Sequence, residues 1–196
     1  VFDFNYRDRW HGLSDYQRNE PWPVINATLI HLVDQMRYWT GQDVRTVSFR
    51  GIDVPWNPYR DPAVVTGWMA TETGFTLSVF QSFVSKVGTD PKHHPYEHYL
   101  IQGDNAAISW TGPWGAGPVQ LLDPNAVEPR QLAVDGDAFA DCVTELLDGL
   151  RDAMRAGAPV FCPAADNIRS LAAIKAAELS ARRGGSIVDV AEVLAG

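Results

Sequence analysis

Between residues 44 and 110 the chain consists of short runs rich in β-branched and aromatic residues, many with apolar and polar positions in alternation. Turn-forming residues bound each run, which is typical of strands that bury one face. The links are of hairpin length and leave no room for the crossover helices that parallel strands need. The pattern predicts an antiparallel meander with strands at residues 44–52, 63–70, 75–83, 97–103 and 106–110.

Three other segments repeat apolar residues at three- and four-residue steps, the period of an amphipathic helix. The first follows Pro21 and is closed by Gly41, a suitable C-cap. The second extends from Asp137, a candidate N-cap, to Gly157, and the third extends from about residue 166 to Arg182. Residues 7–23, before the first helix, are predicted to form an irregular aromatic-rich loop. Helices and an antiparallel sheet together predict an α+β fold.

The start of the chain resembles a segment from the middle of a longer sequence. It begins with Val1 and not with Met, and Phe2, Phe4 and Tyr6 alternate with neighbours as in a half-buried strand. A strand at the first residue leads to the expectation that something upstream is missing or belongs to another chain. The length of 196 residues suits one domain or at most two small ones, and we expect a single domain.

Charge and hydropathy exclude several classes of protein. The net charge is −8 and no Lys/Arg run occurs, so a nucleic-acid partner is not expected. Apolar runs are far shorter than the roughly 20 residues that span a bilayer, so no membrane partner is expected either. Cys142 and Cys162 are widely separated, and we expect them to be small buried residues in a reducing compartment, the cytoplasm.

The first helix carries one histidine, His31, on its polar face. At about 100° per residue, His31 shares that face with Ala27, Asp34, Gln35 and Tyr38. The apolar side consists of Leu29, Ile30, Val33 and Met36. One interpretation is a solvated histidine with a weak contact to Asp34. The other is a histidine that a carboxylate orients for proton relay near neutral pH, and the spacing leaves both open.

A second group of histidines spells H-x-x-E-H at His94, Glu97 and His98, the letters of a zinc-protease motif. That motif requires both histidines on one helical face, whereas Pro95 interrupts it and the residues that follow alternate as in a strand. We therefore expect no metal site here. An independent hydrolase using these histidines is the weakest alternative function.

The loop before the first helix is a candidate for binding a polyhydroxylated ring. Arg9, Trp10 and Tyr16 combine hydrogen-bond donors with aromatic faces. The alternative is that the aromatic residues only pack the loop onto the sheet. The predicted sheet carries more large aromatic side chains than one layer of helices covers. They belong either to an ordinary core or to an open sheet face that binds a second copy of the chain. These residues are Trp56, Trp68, Phe80, Phe83, Trp110 and Trp114.

Two motifs resemble a known family. The run NATLIHLVDQMRYWTGQDVRTVSFRG, residues 26–51, is similar to the start of the C-terminal domain in the Gfo/Idh/MocA (glucose-fructose oxidoreductase/inositol dehydrogenase) family. The tail, residues 139–190, is similar to that family's closing pattern of a helix, a G-x-P step and a D-N-x-x-x-L helix before a last strand. The resemblance covers essentially the whole chain.

The resemblance implies an open, mostly antiparallel sheet with helices on one face, a dihydrodipicolinate-reductase-like domain for substrate binding and oligomerisation. Family members also have an N-terminal Rossmann domain that binds NAD or NADP. This chain is expected to lack that domain, which would lie upstream or in a separate chain. The implied reaction moves a hydride to or from a sugar, amino-sugar or cyclitol hydroxyl. The chain alone is expected to be inactive.

Site residues follow from the same resemblance. His31 matches the family's catalytic histidine. Asn26, Arg9, Trp10, Tyr16 and Asp34 are expected to arrange the substrate.

One position departs from the family pattern. Close relatives have an acidic residue four positions before the histidine, and this chain has Ala27 there. The departure leads to an alternative function, a non-catalytic sugar-binding or scaffolding domain.

Overall fold

The computed structural model describes residues 14–84, 98–111, 118–133 and 138–195, with side chains from residue 142 onward in the last range. The chain divides into two compact units. The larger contains the described residues of 14–84 and 164–195, and the smaller contains those of 98–133 and 138–163.

Helices and strands alternate in blocks along the chain. The helices are α1 Asp15–Asn19, a π-helix at Ile25–Leu29, α2 Ile30–Thr40, α3 Ala138–Ala156, α4 Ala164–Arg182 and α5 Ala191–Leu194. The strands are β1 Val44–Ile52, β2 Val64–Thr71, β3 Thr76–Ser82, β4 His98–Gln102, β5 Ala107–Thr111, β6 Val119–Leu122, β7 Arg130–Leu132 and β8 Val188–Asp189.

The larger unit is built on an antiparallel sheet with the strand order β3-β2-β1-β8. Phe49 is paired with Gly67, and Gly67 with Val79, which places these positions on one face. That face is the core, with buried side chains at Val47, Phe49, Val65, Met69 and Val79. The next row, Ser48, Trp68 and Ser78, lies on the opposite face, and these three side chains are half-buried or exposed.

α4 contacts β1 through small side chains. Ser170, Ala176, Ala177 and Ser180 are fully buried, so the helix approaches the strand closely. The Ser180 hydroxyl accepts a hydrogen bond from the Phe49 N–H at 2.9 Å and donates one to the Ser186 carbonyl at 2.6 Å. These bonds hold α4 over the middle of β1.

The smaller unit contains the antiparallel sheet β4-β5-β6-β7 and helix α3. Tyr99 on β4 stacks on its cross-strand partner Trp110, with ring centroids 4.2 Å apart and planes 9° apart. Such a pair contributes more than its buried area alone.

The predicted antiparallel α+β fold is confirmed, and so are the three helices with their glycine ends. Gly41 and Gly157 have positive φ angles of 65° and 61°, the left-handed conformation that ends a helix. The strands lie in two sheets, whereas the alternation pattern was interpreted as one meander. β6 and β7 were missed because each is four residues or shorter.

Two expectations are wrong. Part of the predicted loop is helix α1, because Ser14 and Gln17 form a capping box that satisfies the N-terminal backbone groups. Cys142 and Cys162 are exposed, not buried. Cys142 lies on an exposed side of α3 and Cys162 in the segment between α3 and α4.

Candidate functional site

His31 lies in the first turn of α2 on the exposed side of that helix. Leu32, Val33 and Met36 form the buried side, in agreement with the predicted apolar side at the last two positions. Ala27, Asp34 and Tyr38 are exposed. The predicted placement of His31 on a polar face is therefore confirmed, and its imidazole is accessible to a small molecule.

The backbone just before His31 has two uncommon features. Trp22 has a φ of 47°, a conformation that is rare for bulky residues, and its N–H donates to Asp61 Oδ2 at 3.1 Å. The π-helix Ile25–Leu29 follows directly and leads into α2. Single π-turns and strained residues occur frequently at functional sites. The two features mark the start of this helix as a candidate functional region.

Asn26, a predicted substrate contact, is held on both sides of its amide. Its Nδ2 donates to the Pro21 carbonyl at 2.6 Å and to Glu178 Oε2 at 3.4 Å. Its Oδ1 accepts from Lys175 Nζ at 3.2 Å. The amide therefore joins the start of the π-helix to α4, and a ligand that used it would have to replace one of these partners.

Glu178 supplies a carboxylate that is hydrogen-bonded to Asn26, the residue before Ala27. The side chain is 13% exposed, and it accepts from Lys175 Nζ at 3.0 Å and from Arg182 Nη2 at 2.6 Å. Burial raises the pKa of Glu178, but the hydrogen bonds from Lys175, Arg182 and Asn26 outweigh it and lower the pKa below its ordinary value. Glu178 is thus ionised at neutral pH and is a weak base.

Asp34 is held by α4. The buried hydroxyl of Ser170 donates to Asp34 Oδ1 and accepts from Arg37 Nη1, the latter at 2.9 Å. An orienting, structural role for Asp34 agrees with this geometry, whereas a direct substrate contact has no support in it.

Arg37 extends the same network to the N-terminus of α4. Its guanidinium forms a bidentate pair with Asp166, at 2.7 and 3.1 Å, and its Nε donates to Asp43 at 2.9 Å. The hydrogen bond to Asp166 raises the pKa of Arg37 against the opposing effect of burial, and the same bond lowers the pKa of Asp166. α2 and α4 are therefore fixed together at Asp34 and Arg37.

The remaining predicted site residues are not brought together with His31 by any described contact. Arg9 and Trp10 lie outside the described residues. Tyr16 lies on α1 and is 76% exposed. Its role in substrate binding stays a prediction.

Among the described residues, no group of three or more His, Cys, Asp and Glu is placed to hold a metal ion. His94 and Glu97 lie outside the described residues. His98 begins β4, and its Nε2 is 3.3 Å from Ser109 Oγ.

The predicted aromatic surface is smaller than expected. Phe83 is buried against Tyr59, and Trp110 belongs to the second sheet. Trp68 and Phe80 lie on the outer face of the first sheet, half-buried. The side chain of Trp56 donates to the Val84 carbonyl at 2.9 Å, and Trp114 lies outside the described residues.

A cleft that sequence analysis missed lies at the opposite end of α2. It has a volume of about 550 Å³, and its wall includes Gln42, Arg45, Glu72, Asp189 and Leu194. Arg45 pairs there with Glu72 at 2.7 Å. Since α2 and the following turn separate this cleft from His31, it is not a candidate for the same site.

The described residues do not form a dinucleotide site of the Rossmann type. Such a site requires parallel strands joined by a crossover helix, and every strand pair in the two described sheets is antiparallel.

Comparisons with known proteins place this geometry in context. No protein-family model and no curated protein sequence matches the chain. Solved structures do match. An oxidoreductase from Agrobacterium radiobacter, in complex with NAD+, L-tartaric acid and magnesium, is 24% identical with a TM-score of 0.72, over 97% of this chain and 56% of that one.

Two further structures act on sugars according to their names. UDP-N-acetylglucosamine 3-dehydrogenase from Acidithiobacillus ferrooxidans is 18% identical with a TM-score of 0.68, over 93% of this chain and 52% of that one. Aldose-aldose oxidoreductase from Caulobacter crescentus, complexed with glycerol, is 16% identical with a TM-score of 0.65, over 96% and 54%. The chain has the fold of Gfo/Idh/MocA-type oxidoreductases.

The resemblance to the Gfo/Idh/MocA family is thereby confirmed at the level of fold. At these identities the likeness establishes the fold alone. The chain spans about half the length of each Gfo/Idh/MocA-type structure, 56%, 52% and 54%. No helix among the described residues has the length and hydropathy needed to cross a bilayer.

Two residues important to the arrangement were missed, Lys175 and Glu178. Their spacing of three, followed by Arg182 four residues later, is a visible signal for a charged helix face. The sequence does not indicate that this face meets Asn26, because the two segments are 149 and 152 residues apart.

Proposed function

We propose that this chain is the substrate-binding and oligomerisation half of an NAD(P)-dependent oxidoreductase acting on a sugar, amino-sugar or cyclitol hydroxyl. The observation that carries the proposal is the fold match to oxidoreductases, one of which holds NAD+. The match covers nearly all of this chain and about half of each oxidoreductase. The half that matches would be the C-terminal one, with both compact units serving as one domain. The dinucleotide would be bound by a Rossmann half, upstream or in a separate chain, in the cytoplasm.

In this proposal His31 moves the proton of the reacting hydroxyl. Its imidazole is exposed at the start of α2, after the strained Trp22 and the π-helix. A neutral imidazole nitrogen accepts the hydroxyl proton as the carbon is oxidised, and it returns the proton in the reverse direction. The cofactor, when bound by the other half, takes or gives the hydride.

Substrate contacts would come from residues around this helix. Asn26 lies five residues before His31, and Tyr16 is exposed on α1. Arg9 and Trp10 are assigned to the same role from the sequence. Asp34 would position α2 through Ser170 and Arg37.

A second copy of the chain would bind the outer face of the first sheet. Trp68 and Phe80 are large side chains on this face, surrounded by small polar residues such as Ser48 and Ser78. Flat faces of this composition, with a few aromatic anchors, are suited to a self-complementary contact.

The alternative function is a non-catalytic sugar-binding or scaffolding domain. It is favoured by Ala27, which offers no acid one turn before His31, and by the occupied amide of Asn26. This alternative retains the ligand site and predicts no turnover with any cofactor.

A thermal-shift titration of the chain tests the proposal. Neutral polyols and cyclitols are expected to raise the midpoint of unfolding, since a ligand that binds the native state stabilises it by mass action. NAD and NADP are expected to leave the midpoint unchanged in the isolated chain. A shift with nucleotide and none with any polyol would contradict the assignment.

A further inference from the structure

Two cationic side chains on α4 are linked through one carboxylate, and one of them contacts the π-helix that precedes the histidine-bearing helix. Lys175 and Arg182 are on α4, with side chains 56% and 55% exposed, and both bind the carboxylate of Glu178. Lys175 also donates to Asn26, the residue next to Ala27. The pair is thus tied to the segment that leads into His31.

Glu178 serves to fix the two cations. It is the least exposed of the three, and its two oxygens are divided between them, with Oε2 bound to Lys175 and Oε1 bound to Arg182. The three side chains together carry a charge of +1 in a chain of net charge −8. A local positive charge on an acidic protein attracts anionic ligands to that place.

The bonds described leave donors for a ligand. Within the described residues, Lys175 uses two of its three N–H groups, on Asn26 and Glu178. The guanidinium of Arg182 uses Nε and Nη2 on Glu178 Oε1. Because both cationic groups are more than half exposed, their remaining N–H groups can reach a carboxylate or phosphate from solvent.

We propose that Lys175 and Arg182 form an anion-binding pair that selects substrates carrying a carboxylate or phosphate group in addition to the reacting hydroxyl. This inference rests on the proposed function and narrows its substrate class to acidic or phosphorylated sugars and cyclitols. Ala27 fits this assignment, because a carboxylate at that exposed position would repel an anion held by Lys175.

The test compares neutral polyols with matched anionic ones on the intact chain. Calorimetric titrations compare three pairs of a neutral and an anionic sugar: glucose with glucuronate, galactose with galacturonate, and glucose with a glucose phosphate. Inorganic phosphate alone is an additional probe. At least one anionic member is expected to bind about tenfold more tightly than its neutral partner, the effect of one charge-assisted contact. The carboxylate and phosphate arms identify which group is preferred.

Variants separate selection from structure. Lys175→Met and Arg182→Met are each expected to reduce the roughly tenfold preference for the anionic member of a pair. Arg45→Met, an exposed arginine on β1 of the same unit, is the control and should retain the preference. Added salt should weaken the binding of the anionic ligand and leave the binding of the neutral one unchanged.

Several results would overturn the inference. If the neutral sugar binds as tightly as its acid, the pair does not select anions, although the proposed function survives. If Lys175→Met weakens both members of a pair equally, or if inorganic phosphate alone binds as tightly as the anionic sugar, the pair is not a substrate anchor. If no sugar of either kind binds, the proposed function fails together with the inference.

Discussion

Ser170 on α4 donates a hydrogen bond from its fully buried hydroxyl to Asp34 on α2, the helix that carries His31. The same hydroxyl accepts from Arg37, which in turn binds Asp166 and Asp43. A small polar core thus joins the two helices, and Asn26 with Glu178 does the same near the π-helix. His31 is exposed, but its helix and the π-helix before it are both bonded to α4.

Arg37→Met is expected to lower the free energy of unfolding by about 1–3 kcal/mol, because it removes bonds to Ser170, Asp166 and Asp43 and leaves the buried Ser170 hydroxyl without this donor. The Arg37 side chain is 13% exposed, so solvent replaces its bonds poorly. Urea unfolding measures the change. Arg45→Met removes a pair between exposed side chains and should cost at most about 0.5 kcal/mol. Equal losses in the two variants would contradict this role of Arg37.

Gly51→Ala tests the packing of Trp22. A Cβ at Gly51 would lie 2.6 Å from the Trp22 ring and 2.9 Å from Pro62, so the ring that precedes the π-helix must move. We expect a loss of about 1–3 kcal/mol in urea unfolding. Gly103→Ala is the matched control, since the nearest atom to its Cβ is 3.4 Å away and the loss should be under about 0.5 kcal/mol. A Gly51→Ala variant as stable as the control would show that Trp22 is not held there.

Glu178 makes stability depend on pH. Its pKa in the folded chain is lowered, so the stability it contributes is fully present above its ordinary value of 4.5 and is lost as the pH falls through the lower folded value. The stability of Glu178→Gln should therefore be lower than that of the unaltered chain near neutral pH, and this difference in stability should shrink in acid. Thermal unfolding from neutral pH to below 4 measures it. A constant difference across this range would rule out ionisation of Glu178 as the cause.

The outer face of the first sheet is expected to mediate self-association. Trp68→Glu introduces a charge among the half-buried residues of this face and should weaken association at least about tenfold, as expected for an aromatic anchor. Light scattering after size-exclusion chromatography measures the mass over a range of concentrations. Tyr38→Glu, at an exposed site on α2, is the control. A monomeric unaltered chain at all concentrations would refute the contact.

The sequence predicted what depends on local pattern. The buried side of α2 follows in part from the spacing of Val33 and Met36 relative to His31, and Gly41 marks the end of the helix. β1 was predicted with its observed bounds of residues 44–52, because a nine-residue run of strand formers has clear ends.

Other features depend on contacts that no local pattern contains. The bonds from Arg37 to Asp166 and from Asn26 to Glu178 join residues 129 and 152 positions apart. The π-helix was missed because its residues, INATL, also suit an α-helix. The division of the strands between two sheets depends on tertiary packing, which hairpin-length spacing does not specify.

The most direct test of the account is the rate of nicotinamide reduction by the complete enzyme, in which these residues are joined to the dinucleotide-binding half, with a polyol that binds the chain. The account predicts turnover by the unaltered enzyme and a loss of about 10²-fold or more for His31→Gln, because a general acid/base contributes at least that much. Tyr38→Phe, at an exposed site on the same helix, should retain the rate. An unchanged rate for His31→Gln would remove His31 from the chemistry, and no turnover by the unaltered enzyme would favour the non-catalytic alternative.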